Sequence, residues 1–235
     1  MNDRRSLLLV CALLSAALAR AGDAEKPDAA PDEATIRSRF LVTYQTAKTP
    51  AAKAQSVAVL KGLADKESHR LLAGMLGDHD ETVRIAACQA MSATPDAEGY
   101  FVKPLMGALT DASDFVRMGA ADALGSARIR ADAIKALTYA LLTAVGKISD
   151  GDEDKRAAQV VQSYNGALER LTSRHSKDKD PRAISAFWVD FWKQNEDELR
   201  AKDLELRGGE PEPVRPNGLD PDSFDKAEKP VEKKK

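Results

Sequence analysis

Residues 72–91 recur at residues 105–124 with a constant offset of 33 and no gap. Eight positions are identical: Leu72/Leu105, Gly74/Gly107, Leu76/Leu109, Asp78/Asp111, Val83/Val116, Arg84/Arg117, Ala87/Ala120 and Ala90/Ala123. A repeat of this length defines a stacked array, because one unit cannot bury its own apolar face and must lean on its neighbours. Each copy reads as helix, short loop, helix. Leu72 and Leu76 close the first helix, Gly77-Asp78-His79 turn the chain, and Asp80 stands where its side chain can accept from a free backbone amide. Ser113 holds that place in the second copy. The stripe Val83, Ala86, Ala87, Ala90 is matched by Val116, Gly119, Ala120, Ala123, small enough for helices to approach closely. Leu76 and Leu109 are expected in the core.

The pattern Leu-x-x-x-Leu-x-Asp-x-x-x-x-Val-Arg-x-x-Ala-x-x-Ala, present twice, resembles the HEAT repeat over Leu72–Gly125, and more weakly over Ala51–Leu63. The resemblance implies an all-α fold: a short α-solenoid of antiparallel helix pairs, HEAT/armadillo-like, with the second helices lining a concave binding side. In that family the Asp and Arg of successive repeats form a ladder along the loop side. This gives Asp78, Arg84, Asp111 and Arg117 structural roles. Exposed positions of the second helices, Gln89, Met118, Asp122 and Gln159, are the candidate contacts.

Apolar spacing at three and four residues, abundant alanine and the absence of alternating Val/Ile runs predict about nine helices and no strand. The expected spans are Glu33–Ala47, Ala51–Leu63, Lys66–Leu76, Glu81–Ser92, Gly99–Leu109, Asp114–Ala127, Arg130–Val145, Lys155–Thr172 and Pro181–Arg200. A third unit keeps a first helix with Tyr139, Leu141, Leu142 and Val145, but loses the Asp/Val/Arg register. Its second helix carries Ala157, Val160, Val161, Tyr164, Leu168 and Leu171 on one face. In the last helix, begun by Asp180 and Pro181, Ile184, Phe187, Trp188, Phe191 and Trp192 share a face. This aromatic stripe is expected to cap the array by packing on Val160, Tyr164 and Leu168. The competing reading makes Trp188 and Trp192 an exposed groove for a partner.

The ends carry different information. Arg4 and Arg5, an apolar run over 6–19, and small-x-small sites at Ala17-Leu18-Ala19 and Ala19-Arg20-Ala21 form the three-part pattern of a signal peptide, too short for a comfortable membrane span. Residues 1–19 are therefore expected to be removed by a cut after 19 or 21, with retention as an anchor the alternative. Cys11 lies inside the run, which disfavours lipidation, and cleavage leaves Cys88 as the sole thiol, equivalent to Ala121 and read as a small buried residue. The boundaries that follow are a linker over 20–31, one domain over 32–206, and a tail over 207–235. The tail is rich in Pro, Gly and charge, and its composition predicts disorder.

Chemistry is sparse. With 35 basic and 37 acidic residues and a formal net charge of -2, no basic surplus points to nucleic acid. The loop Asp150-Gly151-Asp152-Glu153-Asp154 lacks the Gly and Glu of a helix-loop-helix calcium site, since Lys155 and Val161 stand in those places. His69, His79 and His175 have no ligand-spaced partner. The segment Glu196–Asp203 reads as a solvated helix end with i, i+4 pairs. The sequence thus predicts an exported, periplasmic or secreted scaffold that binds a protein or peptide without catalysis, cofactor or metal. Two alternatives stand beside it. One is a solenoid enzyme or cofactor-handling protein resembling the HEAT-like lyases and glycosylases, if Tyr139, Asp150, Tyr164 and Trp188 converge. The other is a structural envelope component tethered by its tail.

Overall fold

A computed structural model describes residues 31–148 and 155–209. The expected signal segment, most of the expected linker, the acidic loop 149–154 with Asp150, and the tail beyond Gly209 lie outside the described residues. Within them the chain is all-helical: α1 (Glu33–Thr46), α2 (Pro50–Val57) continued by a 3-10 turn (Ala58–Leu60), α3 (Lys66–Met75), α4 (Glu81–Ser92), α5 (Val102–Ala108), α6 (Asp114–Leu124), α7 (Ala131–Gly146), α8 (Lys155–Thr172) and α9 (Pro181–Leu206).

Local chemistry sets most of these boundaries. Asp32, Thr49, Asp65 and Asp180 stand in extended backbone at N-caps and accept from helix amides, at 2.7 Å in the case of Asp32 and Thr35. The fifth helix starts later than the sequence predicts. Asp96 takes the amides of Tyr100 (2.8 Å) and Phe101 (2.7 Å), which holds those residues in the preceding turn. The last helix runs longer than expected, supported by the pairs Glu196–Arg200 and Glu198–Lys202.

The helices gather into two compact units, divided between Ala90 and Met91. In the first, α1 packs on α2 and the 3-10 turn, with Phe40, Val57, Leu60 and Leu72 in the interior. In the second, α5 packs on α6 and α7, and α8 on α6 and α7. Val116, Ala120, Ile134, Leu137, Leu141, Tyr164 and Leu168 are buried there. Two expected core positions differ. Leu76 is only half-buried at the C-terminus of α3, so Leu72 carries that packing, whereas Leu109 is buried as expected. Tyr139, placed with the apolar face of α7, is exposed.

The capping helix also differs in its neighbour. The α9 stripe packs chiefly along α7 and only lightly on α8, whose apolar face is already taken by α6 and α7. Trp188 and Trp192 are buried, so the reading that made them an exposed partner groove is corrected: the rings are core. Phe187 and Phe191 meet Trp188 edge-on at centroid distances of 4.9 and 5.6 Å, and the Trp188 indole N–H donates to Asn165 at 2.7 Å.

Candidate functional site

The two inter-helix turns have the same construction. In the first, Asp78 Oδ1 accepts from the Asp80 amide at 2.8 Å, and Arg84 donates back to the carbonyls of Asp78 (2.9 Å) and His79 (3.1 Å). In the second, Asp111 Oδ1 accepts from the Ser113 amide at 2.8 Å, and Arg117 donates to the carbonyls of Asp111 (2.6 Å) and Ala112 (3.3 Å). The repeated Asp closes the turn and the repeated Arg satisfies its carbonyls, which explains their spacing of six residues. The copies are not identical. Asp80 Oδ1 caps the Thr82 amide at 2.8 Å, while Ser113, in the equivalent place, makes no side-chain cap.

Around Asp78 the first unit adds Tyr44, whose hydroxyl donates to the carboxylate, and Lys53, 3.8 Å from the carboxylate and 5.1 Å from the Tyr44 ring centroid. Burial disfavours the Asp78 charge, yet the Tyr44 hydroxyl, the Asp80 amide and Lys53 outweigh it and hold the carboxyl below its ordinary range. Burial and the same carboxylate push the Tyr44 phenol up to about 12. In the second unit burial pushes Tyr164 up to about 12, and its hydroxyl faces the Leu109 carbonyl at 3.4 Å. Both phenols are held protonated as donors.

The candidate contact positions fall into a clear register. Gln89 on α4 and Asp122 on α6 are exposed, between buried neighbours Cys88 and Ala90 in one repeat and Ala121 and Ala123 in the other. One turn earlier, Ile85 and Met118 are both half-buried. Asp122 pairs with Arg170 of α8 at 3.0 Å, and Gln159 is exposed. Of the neighbourhood considered for catalysis, Tyr164 and Trp188 are packed in the interior and Tyr139 is on the surface. Among the described residues no group of three or more His, Cys, Asp or Glu side chains is placed to hold a metal ion, and no helix is long and apolar enough to cross a membrane.

One residue of consequence was not legible. Asp203, read as part of a solvated helix end, is buried and accepts from the amides of Arg130 (2.9 and 3.0 Å) and Ala131 (2.7 Å). Its carboxylate, delivered from α9, satisfies the first amides of α7 in place of a local cap. With the Arg200–Asp132 pair at 3.3 Å, it fixes α9 antiparallel to α7. Beside it, Arg130, the end of α8 and the last turns of α9 enclose a groove of about 540 Å³, with Leu171, Phe191, Leu199 and Leu206 as its apolar part. A smaller hollow of about 370 Å³ lies among Met91, Asp96, Phe101, Leu105 and Arg128.

Helix pairs joined by tight turns, repeated at a fixed register, define a short α-solenoid. Residues 40–125 match the family model for HEAT repeats, from within α1 to the end of α6. Residues 40–125 are accordingly HEAT repeats, the units of a helical repeat scaffold. No curated protein sequence matches it.

Proposed function

We propose that the chain is an exported, non-catalytic scaffold that binds a protein or peptide partner through exposed positions of its second repeat helices, Gln89 on α4 and Asp122 on α6. The observation that carries this reading is the repeated surface: Gln89 and Asp122 are exposed one repeat apart, each beside a half-buried apolar side chain, Ile85 or Met118. Polar positions recurring beside partly covered apolar ones offer a partner both hydrogen bonds and desolvation, repeat by repeat. The Asp122–Arg170 pair is half-exposed, so a partner can exchange it at small cost.

Photo-crosslinking tests the surface. A benzophenone side chain at Gln89 or Asp122 is expected to yield the same adduct from the native envelope fraction, with none from Lys103, an exposed position on α5. Adducts from all three positions alike, or from none, would remove the reading. Export rests on the Arg4-Arg5 and apolar-run pattern and predicts a purified protein that begins at Arg20 or Gly22. An intact mass that retains residues 1–19 would count against cleavage.

A further inference from the structure

We propose that the groove between α8 and α9 is the docking site of the chain's own C-terminal segment, residues 210–225, with Leu219 and Phe224 as its anchors. The first argument is where the described chain ends. The Gly208 amide donates to the Glu205 carbonyl at 3.0 Å and the Gly209 amide to the Leu204 carbonyl at 2.9 Å, with φ of +74° and +79°. This is a Schellman motif, which reverses the chain at a helix end. The residue at Gly209 ordinarily supplies an apolar side chain to cover the residue at Leu204. Here it supplies none, and Leu204 and Leu206 are each 44% exposed. Leu206 is also the lip of the groove. The apolar surface is left open at the point from which the remaining chain departs.

Reach and composition select the occupant. From Phe191 to Leu206 the groove follows about 22 Å of helix. The ten residues from Gly209 to Leu219 span up to about 33 Å, so Leu219 can return to any point along it. Residues 210–225 contain five carboxylates and one Arg, and only Val214, Leu219 and Phe224 as large apolar residues. The groove's charges favour such a segment. Among the described residues the Arg174 side chain has no ion pair, and the Arg130 guanidinium donates to the Leu171 carbonyl at 3.3 Å, not to a carboxylate. Of the groove's carboxylates, Asp203 is committed to backbone amides and Glu198 to Lys202, leaving Glu205. Tethering supplies the rest: a short link gives an effective concentration in the millimolar range, enough to fill a weak site.

The test uses the full chain with Cys11→Ala and a nitroxide on Lys226→Cys, Cys88 being buried. Amide signals of Leu171, Arg174, Asn195 and Leu199 are read by NMR. The expected result is loss of these signals, unchanged on dilution, recovered when Leu219→Asp and Phe224→Asp are added, and partly recovered by Arg174→Glu. Signals that persist beside the nitroxide overturn the proposal. So does a loss that survives the double substitution. A loss that disappears on dilution assigns the contact to a second copy and overturns it equally.

Discussion

Two aspartates show how much of this fold hangs on carboxylates that hold helix starts. Asp65 accepts from the Glu67 (3.2 Å) and Ser68 (3.1 Å) amides and the Ser68 hydroxyl, and pairs with Arg37 at 2.6 Å. Burial opposes its charge, but these partners prevail and bring its pKa down to about 2 from an ordinary 3.8. A carboxyl depressed in the folded state stabilises it above the unfolded value, and that contribution is lost as pH falls from about 4 through about 2. The amount is at most on the order of 2 kcal/mol, because solvent screening weakens a partly exposed pair. Asp65→Asn should therefore flatten the acid limb of the stability curve in that window, measured as urea midpoints against pH; an unchanged slope would deny Asp65 this role. Asp203 acts across 73 residues instead of three. Asp203→Ala is expected to cost about 0.5 to 2 kcal/mol, the range for a lost N-cap, with Asp203→Asn milder because it keeps an acceptor. Equal losses for Ala and Asn in urea unfolding would point to charge alone. The local caps Asp80 and Asp180 were readable, since cap and helix are neighbours in sequence. Asp203 was not, because nothing local marks a side chain whose partner is on another helix. The available signal was negative: Arg130, at the start of α7, makes no side-chain cap of its own.

At the scale of elements, the register of the repeat places buried side chains well but does not grade them. Leu72 and Leu109 are buried, whereas Leu76, the C-cap of α3, is half-exposed although its repeat equivalent is Leu109. Leu72→Ala and Leu109→Ala are each expected to cost about 2 to 5 kcal/mol, and Leu76→Ala clearly less. Equal losses at Leu72 and Leu76 in denaturant unfolding would contradict the burial order. Trp188→Ala should cost about 3 to 5 kcal/mol as a large core ring. Trp188→Phe should recover most of this, lacking only the bond to Asn165, worth about 1 kcal/mol. Helix existence and the spans of α4 and α8 followed from periodicity alone. The choice of α7 as the seat of α9 did not, because an amphipathic face specifies that it will be covered, not by which neighbour. The same limit applies to the candidate contacts: the repeat marked Gln89 and Asp122 as outward positions, while Trp188 and Trp192, equally prominent in sequence, are core.

For the whole molecule, the division between Ala90 and Met91 falls inside α4, so one helix belongs to both compact units. In a repeat array, stability is a sum of unit terms and nearest-neighbour terms, and damage need not spread through the chain. The consequence is testable with a substitution confined to the first unit. Leu72→Ala should lower hydrogen-exchange protection across α1–α3, while α7, α8 and α9, tied together by Asp203, Trp188 and the α7–α8 core, keep theirs. Hydrogen exchange read by mass spectrometry resolves the two sets of peptides. A uniform loss of protection from α1 to α9 would show instead that the chain opens as one cooperative block, with α4 transmitting the defect. Local loss would mean that the surface of α6 and the α8–α9 groove can stay formed while the first repeats open. Binding at Asp122 would then survive a defect that abolishes binding at Gln89, and the two crosslinking positions would separate in the Leu72→Ala background.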